Sequence, residues 1–415
     1  MKPKKDYRKN KILIISTVKP FPGESGQQMR VRHTIEAIKP FYHITFLTTT
    51  TPNEINFIKN KLNDFVDESI VLQTRYFGPL KKIFFLLYGR IWSTFKGLRF
   101  SNYVVERLDF TNRRLRRIFD KKDFDIVLYE YWHAYKTVGY FKKSGIPTVL
   151  DTHNILWKSY DNILSSSKLL PTKIKDWKIK KYKSFEENAW NKFDGLIAIN
   201  HNEYNYIKNV VNRDRVFYIP MGIKMNKWNR KRNIQSTPRV GYFGGLRSIH
   251  NQKDAMLCYE KIMPHIWSKI PATELWIIGS NPPDDIKILS KKDNRLKITG
   301  YVKDVENILR TMTVMVIPWS GTYGFRSRVI EVMALGLPLV TTQDAVNGMG
   351  LKNGRGIYMC SDLECIVKNV TELICNEHKN KISGLEAKNQ IIKKYNFENT
   401  YGLLPNVMNK ILKIA

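Results

Sequence analysis

Two arginines and a glutamate stand close together in the segment from Gly321 to Thr342. Arg326 precedes a predicted helix at 328–334, Arg328 opens that helix, and Glu331 follows near its start. Cations oppose the dipole at a helix N-terminus. A pair of arginines there is explained if they face a diphosphate, whose oxygens a guanidinium can bind two at a time. A carboxylate on the same helix can accept hydrogen bonds from ribose hydroxyls. The segment therefore predicts a nucleotide site, and the alternative is a set of solvated surface charges.

Two glycine-rich turns accompany these charges. Gly244 and Gly245 close a predicted strand at 239–243, and the turn from Gly321 to Gly324 leads into the helix, where free N–H groups favour a phosphate. Arg247 lies close by in sequence and is a further candidate for contact with a diphosphate. Glycine at a strand end is also ordinary turn chemistry, so the turns alone decide little. Neither a GxxxxGK[ST] loop nor a GxGxxG after a strand occurs, which argues against a P-loop enzyme and a nicotinamide dehydrogenase.

Short apolar runs alternate with longer amphipathic stretches along the whole chain. Predicted strands cover 11–16, 43–48, 125–129, 148–150, 195–199 and 216–219 in the first half, and 239–243, 274–278, 296–299, 314–317 and 339–341 in the second. Helices are predicted at 30–38, 255–267 and 328–334. Nearly continuous apolar strands separated by helices indicate parallel sheets covered on both faces. The fold class is therefore α/β, with two Rossmann-like doubly wound domains that face a central cleft, where ligands would bind beyond the strand ends.

The domain boundary is predicted in the polar, basic stretch 222–238, which lacks apolar periodicity. The expected limits are 10–222 for the first domain and 235–394 for the second. The last segment, 395–415, is expected to form a helix that crosses back to the first domain.

The composition excludes global disorder, because 43% of the 415 residues are hydrophobic and 26% are charged. Four cysteines without CxxC spacing indicate neither a disulfide scaffold nor a zinc ribbon, and they fit a reducing compartment. We expect no secretory signal, since the apolar run at 12–15 is too short, and no membrane span. The net charge of +32 points to an anionic partner: nucleic acid, a membrane or the substrate. A general bias toward Lys, Ile and Asn is the alternative for part of this excess.

The order and spacing of several motifs resemble the family 4 type of retaining GT-B glycosyltransferases. The resemblance rests on the Gly321–Thr342 segment and on five others: Thr148-Val-Leu-Asp-Thr-His-Asn154, Phe193-Asp-Gly-Leu-Ile-Ala-Ile-Asn200, Ile219-Pro-Met-Gly-Ile-Lys224, Leu275-Trp-Ile-Ile-Gly279 and Ile298-Thr-Gly-Tyr-Val302. It implies metal-independent transfer of a hexosyl group, with retention, from a nucleoside-diphosphate sugar to a hydroxyl of a glycan or lipid-linked acceptor. The expected setting is cell-surface polysaccharide assembly, and no further cofactor is expected.

The resemblance also implies roles for individual residues. Gly26 follows the first strand, where the family has a loop near the acceptor and the donor phosphates; a plain turn is the alternative. His153 would hydrogen-bond the transferred sugar or its leaving phosphate, and His133 is a weaker candidate. The residues expected to act in catalysis are His153, Arg326 and Arg328. Those expected to bind the donor are Gly26, Gly244, Gly245, Arg247, Gly324, Phe325 and Glu331. No HxxxH or similar ligand set indicates a metal site.

Three departures separate this chain from the usual family pattern. Tyr323 replaces the first of the paired glutamates, and the usual Arg and Lys of the second domain fall on Gly245 and His250. The segment usually read as NGvD is Met221-Gly-Ile-Lys224. A branch of the family with a G-x-R-x-K/R-x-x-E loop resembles this chain more closely. A catalytically silent GT-B protein that binds nucleotide or glycan is the alternative function.

Basic and aromatic residues alternate between residues 81 and 117. The basic residues there are Lys81, Lys82, Arg90, Lys96, Arg99, Arg107, Arg113, Arg114, Arg116 and Arg117, and the apolar ones include Phe84, Phe85, Leu86, Leu87, Trp92, Phe95 and Phe100. This composition predicts a helix in a membrane interface, on the cytoplasmic side, and the basic stretch 173–183 would extend the patch. A core helix with a solvated outer face is the alternative. A nucleic-acid binder is a less favoured class, because no RNP motif, zinc finger or helix-turn-helix is present.

Overall fold

The computed structural model describes residues 9–23, 25–96, 108–119, 123–166, 170–321 and 324–414. These form two compact units, Met1–Pro220 with Tyr401–Ala415, and Met221–Thr400. Each unit contains one parallel sheet, and each is described by itself.

The strands and helices run as follows. The strands are β1 Asn10–Ile15, β2 Tyr42–Thr50, β3 Glu68–Gln73, β4 Ile126–Glu130, β5 Thr148–Asp151, β6 Gly195–Ala198, β7 Val216–Tyr218, β8 Arg239–Phe243, β9 Glu274–Ile278, β10 Leu296–Ile298, β11 Val314–Ile317, β12 Leu339–Thr342 and β13 Ile357–Cys360. The helices are α1 Gly26–Ile38, α2 Ile55–Asn63, α3 Pro79–Lys96, α4 Asn112–Phe119, α5 Val138–Lys142, α6 Leu156–Ser166, α7 Thr172–Trp190, α8 His201–Val210, α9 Met225–Trp228, α10 Ile249–Leu257, α11 Met263–Trp267, α12 Asp284–Lys292, α13 Val305–Leu309, α14 Ser327–Ala334, α15 Leu363–Cys375, α16 Glu377–Tyr395 and α17 Leu404–Ile414.

The sheet of the first unit has the order β3-β2-β1-β4-β5-β6-β7, and every pair is parallel. Its central strands are apolar and buried because helices cover both faces. The strand order reverses between β1 and β4, so the loops after these strands diverge and open a crevice. The edge strand β3 was not predicted, since it is only half-buried and polar at both ends.

The start of α1 differs from the prediction. The helix begins at Gly26 instead of Arg30, so Gly26 is its first residue and not part of the preceding loop. The cause is a capping box. The backbone N–H of Gln28 donates to the Ser25 hydroxyl over 3.3 Å, and the side-chain oxygen of Gln28 accepts from the backbone N–H of Ser25 over 3.4 Å.

The sheet of the second unit has the order β10-β9-β8-β11-β12-β13, again fully parallel. The predicted helix at 255–267 begins earlier, at Ile249, and passes through a π-helical turn at Cys258–Ile262. Its first turn is polar (His250, Asn251, Gln252, Lys253), so the pattern of apolar residues did not predict it. The strand β13 was also missed.

Two cysteines depart from the expectation of free thiols. Cys360 ends β13 and Cys365 lies in the first turn of α15, and the two are joined as a disulfide. Within the described residues, no helix combines the length and apolar character needed to cross a bilayer.

Candidate functional site

The strand order of the second unit reverses between β8 and β11, and the loops after these strands contain most of the predicted donor-binding residues. The loop after β8 is held against the loop after β9. The Gly244 N–H donates to the Ile278 carbonyl over 2.9 Å, and the Leu246 N–H donates to the Ser280 carbonyl over 2.8 Å. Gly245 therefore lies on a fixed backbone at the carboxyl edge of the sheet.

Gly279 allows the close approach of these two loops. A Cβ at this position would lie 1.9 Å from the Gly244 carbonyl oxygen, which belongs to the backbone and cannot rotate away. We expect Gly279→Ala to lower the free energy of unfolding by about 1–3 kcal/mol, in the range of overpacked sites. Urea denaturation measures this change.

Gly139→Ala is the control for this substitution. Gly139 lies in α5, and a Cβ there would meet nothing within 4 Å, so this variant should be neutral or slightly stabilised. Equal stability of the two variants would show that the loops do not depend on the small residue.

Arg326 lies immediately before α14 and stacks on an indole. Its guanidinium carbon is 3.7 Å from the centroid of the Trp319 ring. Trp319 is 9% exposed, and its indole N–H donates to the Gly321 carbonyl over 3.0 Å. The stacking fixes the plane of the guanidinium beside the N-terminus of α14, where N–H groups remain available for an anion.

Arg328 lies close to the β8 loop. A Cβ on Gly245 would be 3.5 Å from Nη2 of Arg328, and the guanidinium carbon is 5.3 Å from the centroid of the Phe243 ring. The structure therefore brings together Gly245 and Arg328, two residues that are far apart in sequence.

Glu331 lies in the second turn of α14, because that helix begins at Ser327. The predicted helix began at Arg328, so Glu331 lies one residue further from the helix start than expected. Burial raises the pKa of its carboxyl, while Arg328, the Ser327 hydroxyl and Lys227 lower it. A half-buried carboxylate with cations beside it suits an acceptor for sugar hydroxyls, which donate hydrogen bonds more strongly to a charged group.

The remaining predicted donor residues occupy different surroundings. Arg247 is exposed in the loop before α10. Gly324 has φ +74°, a conformation that favours glycine, so the chain can turn there into α14. The Phe325 ring packs on the Tyr395 ring with 5.7 Å between centroids and lies against the core of the second unit. Tyr323 lies outside the described residues.

Two residues of this site were not predicted. Trp319 is the platform for Arg326, and its position just after β11 is the only signal in the sequence. Asp254 of α10 is buried, and burial raises the pKa of its carboxyl to about 7 against the opposing charge of Arg326. Asp254 therefore shares the electrostatic environment of Arg326.

A second cluster of polar residues lies at the carboxyl edge of the sheet in the first unit. Glu130 and Asp151 end the neighbouring strands β4 and β5, and they are paired in register. Both are buried, at 1% and 0% exposure. Two adjacent buried carboxylates require cations or protons close by.

Arg30 of α1 supplies one of these cations. Its Nε donates to Asp151 over 2.7 Å, and its Nη1 donates to the Ile219 carbonyl over 3.0 Å. The guanidinium carbon also lies 4.9 Å from the centroid of the Tyr401 ring. Burial opposes the charge, but Asp151, Tyr401 and Glu130 raise the pKa of Arg30 above its ordinary value.

His153 is the other partner. Its Nε2 forms a short hydrogen bond with Glu130, and its ring stacks on Tyr131 with 4.3 Å between centroids. Burial raises the pKa of Glu130, whereas His153 lowers it. Tyr131 and His153 both have positive φ, 72° and 54°. A residue keeps such a strained backbone conformation only where the surrounding structure fixes it, and such residues are frequent at functional sites.

Two further buried glutamates anchor the loop that contains His153. Glu186 of α7 accepts from the N–H groups of Leu156 and Trp157, over 2.9 and 2.7 Å, at the start of α6. Glu203 of α8 accepts from the Ile155 N–H over 3.4 Å. Burial, together with repulsion from Glu203, raises the pKa of Glu186 to about 8.

The structure brings together three potential metal ligands that were not predicted as a group. Ligand atoms of Glu130, Asp151 and His153 lie within 4.8 Å of one another. They come from the ends of two strands, so no short motif marks them. Arg30 and His153 already form hydrogen bonds with the two carboxylates, and an added cation would compete with the guanidinium at 2.7 Å. The donor set fits a hydrogen-bonded network of side chains better than a metal centre.

Gly26 and His133 lie at the same edge of this sheet. Gly26 is exposed at the N-terminus of α1, after the loop that follows β1. His133 follows β4 and is buried, and its ring lies 5.9 Å from that of Tyr131. The loops after β1, β4 and β5 thus converge around Arg30 and His153.

Two family models match this chain. Residues 83–227 match the model described as Glycosyltransferase Family 4, and residues 237–376 match the one described as Glycosyl transferases group 1. No curated protein matches the sequence.

Solved structures resemble the chain over nearly its whole length. Sucrose-phosphate synthase from Thermosynechococcus elongatus is 13% identical with a TM-score of 0.69, and covers 98% of this chain and 100% of its own. TarM, described for S. aureus, is 13% identical with a TM-score of 0.69, covering 98% and 99%. HepE from Anabaena, solved with UDP and glucose, is 13% identical with a TM-score of 0.63, covering 96% and 99%. These likenesses confirm the predicted GT-B fold.

The family models indicate the activity, whereas structures at 13% identity show only the fold. Both describe glycosyltransferases, and one lies largely in each unit. The chain is therefore a glycosyltransferase with the GT-B fold.

Proposed function

We propose that the protein transfers a hexosyl group from a nucleoside-diphosphate sugar to a hydroxyl of a glycan or lipid-linked acceptor. The observation that carries this proposal is the grouping of Arg326, Arg328 and Glu331 with Gly245 at the switch point of the second sheet. Cations beside a helix N-terminus suit a diphosphate, and a carboxylate one turn later suits ribose hydroxyls.

The chemistry follows from the charge that develops during transfer. When the bond between the sugar and the diphosphate breaks, negative charge grows on the leaving phosphate oxygens. Arg326 and Arg328 would stabilise that charge. Their donors are already in place before transfer, so the site does not have to reorganise during the reaction. We infer that these guanidinium groups take the role that a divalent cation has in other transferases. Retention of configuration is proposed on the resemblance to retaining enzymes.

The identity of the donor is proposed from the structural relatives. HepE was solved with UDP, with UDP and glucose, and with UDP-glucose, and TarM with UDP and α-GlcNAc-glycerol. A uridine nucleotide is therefore the first donor to test. Cell-surface polysaccharide assembly on the cytoplasmic side of a membrane is the setting that we propose.

A thermal-shift titration with UDP, GDP, ADP and CMP tests the donor site. A ligand that binds only the folded state stabilises it by about 2.7 kcal/mol at 100 times Kd. We expect one nucleotide to raise the Tm of the wild type. In Glu331→Ala the same nucleotide should bind about 10 to 100 times more weakly, because hydrogen bonds to a charged group contribute about 1.5–3 kcal/mol.

Glu398→Ala is the matched control, since Glu398 is an exposed glutamate elsewhere in the second unit. It should respond to the nucleotide as the wild type does. If no nucleotide shifts the Tm of the wild type, the protein has no donor site of this kind. If Glu331→Ala responds fully, Glu331 does not hold the ribose.

A further inference from the structure

The helix α3 has two apolar faces, although packing on the first unit uses only one. Phe85, Gly89 and Ser93 are its buried residues, spaced four apart on one face. The Phe85 ring lies 3.8 Å from the ring of Tyr76. This face packs on the first unit.

The opposite face of α3 is a stripe of large apolar side chains in contact with solvent. Its residues are Leu80 (81% exposed), Phe84 (67%), Leu87 (57%), Ile91 (57%) and Phe95 (77%). Their spacing of three or four places them along one side of the helix, turned away from the buried face. Exposed apolar groups that line up in this way mark an interaction site, because folding alone does not require them.

The charged side chains of α3 all have the same sign. Lys81, Lys82, Arg90 and Lys96 are exposed on α3, which contains no acidic residue. The helix packs against α7, which adds the exposed apolar residues Ile174 and Trp177 and several exposed lysines. Arg99, Phe100 and Arg107, which belong to the predicted basic and aromatic segment, lie outside the described residues.

We propose that the outer stripe of α3 inserts into the surface of an anionic membrane. Apolar side chains on one side and lysines and arginines beside them are the features of a helix that lies in the plane of the interface. The apolar residues would enter the acyl boundary, and the cations would bind the acidic headgroups. Since α3 is part of the first unit, that unit would be held beside any acceptor anchored in the same membrane. The proposal does not depend on the donor chemistry.

The charges decide between a membrane and a second copy of the chain. Two α3 helices packed along their stripes would bring eight cations together, four from each, with no acidic residue in either helix. The net charge of +32 adds to this repulsion. An acidic lipid surface is attracted by the same charges.

Co-sedimentation of the full chain with phosphatidylcholine vesicles, with and without phosphatidylglycerol, tests the proposal. We expect the wild type to bind the vesicles that contain phosphatidylglycerol. The double variant Phe84→Ser/Phe95→Ser should bind them at least about tenfold more weakly, because each buried aromatic ring contributes strongly to transfer from water. Both residues are exposed, so the variant should keep the circular dichroism and Tm of the wild type.

Phe41→Ser/Phe57→Ser is the matched control, because Phe41 and Phe57 are 57% and 59% exposed outside α3. It should bind as the wild type does. Absence of wild-type binding to either kind of vesicle, or equal loss in both double variants, would overturn the proposal. A lipid-free dimer that Phe84→Ser/Phe95→Ser abolishes would show instead that the stripe joins two copies. Nucleotide binding in the thermal-shift assay should be the same in all these variants, which separates this test from that of the donor site.

Discussion

Replacing Arg328 with alanine is expected to lower kcat/KM for sugar transfer by a factor of about 10² to 10³, the loss seen when one fixed donor to a developing anion is removed. Arg328 lies beside Gly245, and its charge lowers the pKa of Glu331. Its removal therefore deprives the leaving phosphate of a cation and weakens the neighbouring carboxylate. The measurement is steady-state kinetics with the donor that the nucleotide titration selects.

Two variants make this result specific. Arg328→Lys keeps the charge but loses the planar fork, and should fall between alanine and the wild type. Arg355→Ala removes one exposed cation from the same unit, and should leave kcat/KM nearly unchanged. If Arg328→Ala and Arg355→Ala have equal activity, Arg328 is a surface residue without a role in the reaction.

Replacing Arg30 with methionine is expected to lower the free energy of unfolding of the first unit by about 3–5 kcal/mol. Arg30 is 1% exposed and pairs with Asp151 over 2.7 Å. Methionine fills most of the volume, so the loss would come from the charge. Asp151 and its neighbour Glu130 would both remain buried without the guanidinium. Urea denaturation, followed by circular dichroism, gives the stability.

Arg32→Met is the matched control for this prediction. Arg32 lies two residues further along α1 and pairs with Glu36 over 3.1 Å, with both side chains partly exposed. Solvent screens such a pair, and we expect a loss of less than about 1 kcal/mol. A loss of similar size in both variants would mean that the buried network contributes no more than a surface ion pair.

The fold was predictable from the sequence because it depends on short apolar runs that helices cover on both faces. Where the pattern of apolar residues did not predict an element or its start, the cause lies in the residues of that element. The first turn of α10 is polar, and α1 begins early because Ser25 and Gln28 cap it. The strand β3 lies at the sheet edge, so half of its surface faces solvent and its apolar run is short.

The candidate site was predictable only where its residues are neighbours in sequence. Arg326, Arg328 and Glu331 share one segment, and they were predicted together. Arg30 and Asp151 are 121 residues apart and meet only because β1 and β4, and then β4 and β5, are paired. No pattern within a single segment could have joined them.

The division of the chain has a consequence for how the protein is made. Tyr401–Ala415 belong to the first unit, although all of Met221–Thr400 lies between them and the rest of that unit. Ile411 occupies the space beside Gly195, Asn409 accepts a hydrogen bond from Tyr42, and Tyr401 covers Arg30. The contacts of Tyr401, Asn409 and Ile411 with the first unit can therefore form only after all of Met221–Thr400 has been synthesised. The residues of the second unit are all made before the first unit has its full set of contacts.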